Sequence, residues 1–334
     1  MSLTVQREEL AALEPEWCEL LPACSLNKVF VTPTWLRTWW AEFGARPGTR
    51  PGVGRELILL SVRDGERLVG VAPLMREGES LRFAGDTNVC DYMDFVVARG
   101  REEEALSAVL RSLGEEPWRE LSLWAVPEGS PTLEALAAVA PAFGLTVETE
   151  QEDVCPQLEL PSSWEEYLAG LGKKDRHELR RKMRKLAAAG ELEMETVEGA
   201  EPVAAALEDF LRLYRESRTD KAEFMTEPME RFFRAITAAL AAEDKLTIEF
   251  LKLSGLRVAA VLCFCGGDES LLYNSGYDPS YAYLSVGLVS KALSLRKAIE
   301  EGKRRFDFLR GPEPYKYDLG AKDVAVYRVT VRRE

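Results

Sequence analysis

Between Thr247 and Lys322 the chain spells out a hairpin, a third strand, a long turn, a helix and a short strand, and this order restricts the segment to a mixed α/β sheet. KLTIEFLKLSG and LRVAAVLCFCGG alternate apolar and polar residues on either side of Ser254-Gly255, the pattern of two hairpin strands. LLYNSGY continues as a third strand, and Asp278-Pro279 opens the turn that follows, with Asp278 capping the bend. LVSKALSLRKAIEEG then reads as an amphipathic helix closed by Gly302, and RRFDFLRG as a short, mostly apolar strand. Strand, helix and strand at this spacing imply a right-handed crossover.

The first half echoes this segment. ELILLSVRDGERLVGVAPLM reads as a hairpin turning at Asp64-Gly65, and its strand GERLVGVAPL matches GLRVAAVLCF in pattern. The helix EEEALSAVLRSLG and the strand RELSLWAVPEGSP match LVSKALSLRKAIEEG and RRFDFLRGPEPYK. Two accounts remain open: duplication of one unit, or a chance likeness between two ordinary hairpin-helix-strand units. Duplication explains the length of 334 residues and sets domains at 1–160 and 161–334, each a mixed twisted sheet flanked by helices.

Composition narrows the function classes. With 46% hydrophobic residues the chain can bury sizeable cores, and a net charge of −13 argues against binding nucleic acid over its whole surface. The polar start MSLTVQREELAALEPEW lacks the basic and apolar regions of a signal peptide, and no apolar run reaches the roughly 20 residues of a membrane helix, so a cytoplasmic protein without a transmembrane segment is expected. His177 is the only histidine, which removes Ser-His-Asp and Cys-His catalysis unless His177 itself serves, and with it a His-rich metal site. No metal is expected. Cys263 and Cys265 lie two apart on a strand, which suits two core thiols better than a disulfide.

The N-terminal half is expected to open with a helix. A second helix begins at VTPTW, with Thr32 as cap and Pro33 in the first position. Trp35 and Trp39 share a face of that helix, as core or as a stacking surface. ARPGTRPGVGR reads as a surface loop. Between the two copies, a basic linker helix is expected over 163–190, capped by Ser163 with Glu166 completing a capping box. Leu168, Leu171, Leu179, Met183 and Leu186 form its apolar stripe. Lys173, Lys174, Arg176, Arg180, Arg181, Lys182, Arg184 and Lys185 cover the rest, either paired with the chain's own carboxylates or binding a phosphate-bearing ligand.

Three groups carry candidate chemistry. The first amides of the helix at Ser285, Val286 and Gly287 form a ready anion site. Tyr273, Ser275 and Tyr277 alternate along one strand, so all three are expected on one face, either hydrogen-bonding a substrate or simply half-exposed. Asp307 lies among Phe306, Phe308 and Leu309, where a carboxylate needs a partner, with Arg310 and Lys316 nearest; a structural ion pair and a catalytic base both fit. Gly311 and Pro312 then return Tyr315 and Lys316 toward that strand, where Lys316 can hold a phosphate or an oxyanion.

Together the KKDRHELRRKMRKL helix, GLRVAAVL, YNSGYDP, the SVG helix start and DFLRGPEPYK resemble the CelD-like branch of the GNAT N-acyltransferase superfamily, over about Trp164 to Arg328. That branch is related to the Fem-type peptidyl transferases of cell-wall assembly. FVTPTWLRTWW, GVAPL and DYMDF resemble the same family's first copy. The resemblance implies two tandem GNAT-like domains, the first non-catalytic. It also implies transfer of an acyl group from acyl-CoA, such as acetyl-CoA, to an amine of a small molecule or a cell-envelope or polysaccharide precursor. A bulged strand around Leu272 to Tyr277 would lend an N–H to the acyl carbonyl, and Ser285, Val286 and Gly287 would bind the donor. Asp307 is then expected as base or orienting carboxylate, Tyr277 as proton donor or substrate contact, Lys316 for anion or oxyanion stabilisation, and Tyr273, Ser275, Tyr315, Arg176 and Arg180 as substrate contacts. The superfamily's phosphate loop reads Q/R-x-x-G-x-G/A, whereas Ala282 and Ser285 stand at its first two fixed positions here. Fem-type enzymes use aminoacyl-tRNA, and the basic helix keeps that donor open, with no role expected for DNA. A non-catalytic binding protein of the same fold is the remaining reading.

Overall fold

The computed structural model describes residues 3–44 and 54–333. Most of the loop expected at ARPGTRPGVGR therefore lies outside the described residues. The chain divides into two compact units, Met1–Asp153 with Val324–Glu334, and Val154–Asp323.

The first unit opens with a short strand, β1 (Thr4–Arg7), ahead of the expected helix Leu10–Leu20. The antiparallel hairpin β2 (Arg55–Asp64) and β3 (Arg67–Glu77) follows, then β4 (Ser80–Phe83) and β5 (Val96–Val97). Asp64 still pairs with Arg67, so the hairpin turns at Gly65-Glu66, one residue beyond the expected Asp64-Gly65. After the helix Glu102–Leu113, β6 (Glu120–Pro127) runs parallel to β4, and β7 (Leu145–Val154) follows the helix Pro131–Val139. Thr32 caps the helix Pro33–Trp39 by accepting from the Trp35 amide, with Pro33 in the first turn. Trp35 and Trp39 are buried, and Trp35 packs edge-on against Phe30, so the tryptophan stripe is core.

The second unit contains β8 (Gln157–Glu159), β9 (Leu192–Glu198), the hairpin β10 (Leu246–Leu253) and β11 (Leu256–Gly266), β12 (Glu269–Tyr277) and β13 (Arg305–Asp307), in the order β8-β13-β12-β11-β10-β9. The helix Val286–Glu300 links β12 to β13, and those two strands are parallel. This helix shares a core with Val261, Cys263 and Leu272. Helices Ala200–Ser217 and Glu227–Ala242 also pack on this sheet, and Phe233 stacks on Tyr273, which in turn meets Phe264. Phe264 follows Cys263 on β11, so the two sets of contacts lie on opposite faces. Cys263 and Cys265 are free thiols.

Two boundaries differ from expectation. The helix expected over 163–190 is two helices, Trp164–Gly170 and Lys173–Ala187, because Leu171 and Gly172 adopt extended backbone between them. The last strand, β14 (Ala325–Arg333), does not join the sheet of its neighbours in sequence but pairs antiparallel with β6. The first sheet therefore runs β1-β2-β3-β4-β6-β14-β7, with β5 on β3. In the second sheet β8, drawn from before residue 161, occupies the matching place beside β13. A sequence boundary at 160 thus assigns both β8 and β14 to the wrong sheet. Among the described residues no helix is long and apolar enough to cross a membrane.

Candidate active site

The site grows from an irregularity in β12. Leu262 pairs with Asn274 but Cys263 pairs with Leu272, which leaves Tyr273 as an extra residue, a β-bulge. The bulge interrupts the alternation expected for Tyr273, Ser275 and Tyr277. Tyr273 turns to the face of Phe233 and Phe264, whereas Tyr277 lies against Gly287 at the start of the helix Val286–Glu300. Gly276 points its missing side chain at the backbone of Leu213 and Tyr214, so its neighbour Ser275 faces the same side as Tyr277. The three hydroxyls do not share a face, and Tyr273 is a half-buried ring packed on Phe233 and Phe264.

Tyr277, Ala282, Ser285, Val286, Gly287, Leu288, Lys291 and Tyr315 line a pocket of about 240 Å³ at that helix start. Ser285 precedes the helix at φ 59°, ψ 34°, and its side chain makes no cap hydrogen bond. The first turn contains no acidic residue, so the Val286 and Gly287 amides remain available to an anion, whereas the Ser285 amide, expected to join them, donates instead to the Ala282 carbonyl at 2.9 Å. Left-handed backbone at a non-glycine residue costs on the order of 1 kcal/mol. Ser285 thus keeps the backbone conformation that a glycine of the superfamily's loop adopts most readily. A Cβ on Gly287 would come within 2.8 Å of the Tyr277 ring, so only glycine lets strand and helix meet here.

One pocket residue escaped the sequence reading. Lys291 is buried, at 8% exposure, and its Nζ donates to the Gly287 carbonyl at 2.8 Å and lies 4.9 Å from the centre of the Tyr315 ring. Burial, reinforced by the charge of Lys221 and opposed by Glu313, lowers its pKa to about 7. Lys221, on the helix Thr219–Phe224, donates to the Ser275 carbonyl and lies over the Tyr214 ring. Its pKa falls to about 8, mainly through burial and then through Arg218. Burial raises the Tyr315 phenol well above its ordinary value. The available signal for Lys291 was its spacing, four residues from both Gly287 and Leu295, beside Ala292 on the apolar stripe.

Of the segment DFLRGPEPYK only Tyr315 lines this pocket. Asp307 is fully buried; it accepts from the Leu309 amide at 2.8 Å and from Gln157 Nε2 at 3.1 Å. Lys316 is 1% exposed and donates to the carbonyls of Leu309, Arg310 and Gly311, each at 2.8 Å. It also pairs with Glu313 at 2.8 Å. Its three hydrogens are therefore committed to the turn, which leaves none for an oxyanion. Neither Asp307 nor Lys316 lines the pocket, whereas Tyr315 does.

The basic helix divides into paired and unpaired residues. Arg181 and Lys182 bind Glu178 of the same helix, and Arg176 donates to the Ala169 carbonyl, closing the preceding helix. Among the described residues Lys173, Lys174, Arg180 and Arg184 make no ion pair. Lys185 donates to the Tyr283 carbonyl and lies 5.6 Å from that exposed ring, in the turn that leads to Ser285.

The second unit thus combines a strand–helix–parallel strand crossover, a bulged strand and a pocket at the helix start whose lining has no carboxylate. Residues 173–317 match the family described as acetyltransferase (GNAT) domain. No curated protein sequence matches the chain. Among solved structures it is similar to FemX, at 14% identity over 97% of this chain and 96% of that one, with a TM-score of 0.65. A conserved protein of unknown function from Bacteroides thetaiotaomicron matches at 12% identity over 98% and 99% of the two chains, with a TM-score of 0.59. L-PGS from Bacillus licheniformis matches at 11% identity over 90% and 91%, with a TM-score of 0.55. At these identities the likeness is one of fold.

Proposed function

We propose that the second unit is an N-acyltransferase that moves an acyl group from acyl-CoA to an amine. The observation that carries this reading is the pocket without carboxylates at the start of the helix Val286–Glu300, beside the bulge of β12 and inside the GNAT match. At about 240 Å³ the pocket suits the acyl end or a phosphate of the donor rather than the whole molecule. Val286 and Gly287 hold the donor through helix amides, while Ser285, whose own amide donates to the Ala282 carbonyl at 2.9 Å, shapes the turn that presents them, and Tyr277 gives a proton to the leaving thiolate. Ser275 and Tyr315 contact substrate. Asp307 and Lys316 act as positioning residues: one fixes the Leu309 turn and the other gathers its carbonyls, which together set Tyr315 against the pocket. The acceptor is an amine of a small molecule or an envelope precursor.

Calorimetric titration with acetyl-CoA tests the donor. The wild-type chain should bind saturably, Gly287→Val should weaken binding by about a hundredfold or more, and Ser285→Gly should bind at least as well, because glycine relieves the left-handed backbone. Wild-type-like binding by Gly287→Val would defeat the assignment.

A second reading has its own support, in the unpaired Lys173, Lys174, Arg180 and Arg184 and in Lys185 anchored on the turn beside the pocket. There the donor is an aminoacyl-tRNA, and purified chain should shift tRNA at low salt with affinity falling steeply as salt rises. No shift at low salt removes it.

A further inference from the structure

We propose that Lys291 is the proton acceptor of the transfer, taking the proton of the attacking amine at Nζ and passing it to the leaving thiolate. The inference rests on the acyl-CoA reading and assigns the base within it. It begins from what the pocket contains. Of the eight lining residues only Tyr277, Lys291 and Tyr315 carry a titratable group, and none carries a carboxylate or an imidazole. Asp307 lies outside the lining with its oxygens engaged by Leu309 and Gln157. Burial holds the Tyr315 phenol protonated. Lys291 remains.

Its surroundings suit a neutral amine. Of three ammonium hydrogens one meets a carbonyl, that of Gly287 at 2.8 Å, and a buried ammonium with so few partners is costly. The groups facing it come from four elements: Lys221 from the helix Thr219–Phe224, Glu313 from the turn after β13, Tyr315 from the helix Pro314–Asp318, and Tyr277 from β12. Lys221 repels the charge, and burial acts in the same direction; Glu313 opposes both and is itself bound to Lys316. The resulting value of about 7 lets the amine accept a proton near neutrality. Bookkeeping then closes. The acceptor nitrogen forms the new N–C bond, the C–S bond breaks with its pair on sulfur, and the nitrogen's proton moves to Nζ and on to the thiolate, directly or through Tyr277. Nothing is oxidised or reduced.

Three measurements on the full chain test this. First, competitive labelling with acetic anhydride across pH, read lysine by lysine by mass spectrometry, should give Lys291 a midpoint near pH 7. A midpoint above pH 9 overturns the proposal. Second, thiol release from acetyl-CoA, with water and a panel of primary amines as acceptors, should fall about a hundredfold in both Lys291→Met and Lys291→Arg. The ascending limb near pH 7 should vanish in both. Full rate in Lys291→Arg would mean that charge alone is needed, and full rate in Lys291→Met that the residue is dispensable; either overturns the proposal. Third, calorimetry should find acetyl-CoA bound within about threefold of wild type by both variants, which separates a lost base from a lost fold or donor site. If wild type binds no acetyl-CoA the donor reading fails, and the labelling midpoint still judges whether Lys291 is a neutral amine.

Discussion

The two units share one wiring and differ at one point of it. Each runs hairpin, strand, helix and parallel strand, as β2-β3-β4 to β6 and as β10-β11-β12 to β13. In the first unit the crossover helix opens with Glu102, Glu103 and Glu104, three carboxylates in the first turn. The pocket beside that turn is larger, about 610 Å³, and is lined by all three. In the second unit the corresponding turn has no acid and meets Gly287, Tyr277 and Lys291. The glutamates satisfy their own helix dipole and repel a phosphate, while the bare turn leaves its amides for a ligand. Under the proposed function, charge at the helix start, and not the volume of the cavity, is what sets the second unit apart as the one that binds the donor. Glutamine at 102, 103 and 104 should accordingly leave donor binding unchanged.

The sharpest break in the comparison comes from how closely helices approach the two sheets. A Cβ on Gly276 would meet the backbone of Leu213 and Tyr214 at 2.4 Å, so Gly276→Ala must push the helix Ala200–Ser217 off β12. We expect a loss of about 3 kcal/mol or more in urea unfolding. Gly70 in the first sheet meets nothing nearer than Val62 Cβ at 3.4 Å, and Gly70→Ala should cost less than about 1 kcal/mol. Equal effects would mean that the close contact is not what fastens the second unit.

A smaller difference separates the buried charges. Asp94 in the first unit accepts from Ser130, Thr132 and the Phe95 amide, yet burial raises it from 3.8 to about 6. Between about pH 4 and 6 the folded chain holds a proton that the unfolded chain has released, so this contribution is lost as pH rises, by roughly 2–3 kcal/mol in all. Asp94→Asn should flatten that slope. Lys291 in the second unit is lowered from 10.5 to about 7, so there the unfolded chain binds more protons and stability rises with pH across that window. Lys291→Met should remove the rise. Denaturant titrations at stepped pH would read both, and slopes of the same sign would refute the contrast.

What could be read from sequence follows how local each feature is. The β10–β11 hairpin, the helix Val286–Glu300, the Asp278 bend and the Thr32 cap are written within a few residues, and the structure keeps them. The placement of β8 and β14 depends on pairings far apart in the chain, which no local pattern encodes. Tyr273 left its expected face because one inserted residue reverses alternation, and a bulge has no period to detect. Lys316 looked free for an anion because a lysine after a turn usually is; three converging carbonyls are a tertiary fact. Lys291 was hidden for the opposite reason: its spacing puts it on the apolar stripe, but a lysine there is ordinarily read as reaching out to solvent.

The least effect expected lies in the helix caps. Thr32, 4% exposed, accepts from the Trp35 amide at 3.2 Å and donates to the Val29 carbonyl at 2.7 Å. Thr32→Ala leaves the Trp35 amide without its cap in the core, while the Val29 carbonyl keeps the Thr32 amide at 3.3 Å, and should cost about 2 kcal/mol. Ser163 accepts from the Glu166 amide at 3.2 Å nearer the surface, where water can replace it. Glu166 reaches back to the Ser162 amide at 3.2 Å, one residue before the expected partner, so half of that reciprocal cap outlives the serine. Ser163→Ala should therefore cost only about 0.5 kcal/mol. The same chemical deletion then differs fourfold between the units because one cap is sealed and the other is backed by water and a second carboxylate bond. Matching losses in urea unfolding would show that burial around Thr32 adds nothing to its cap.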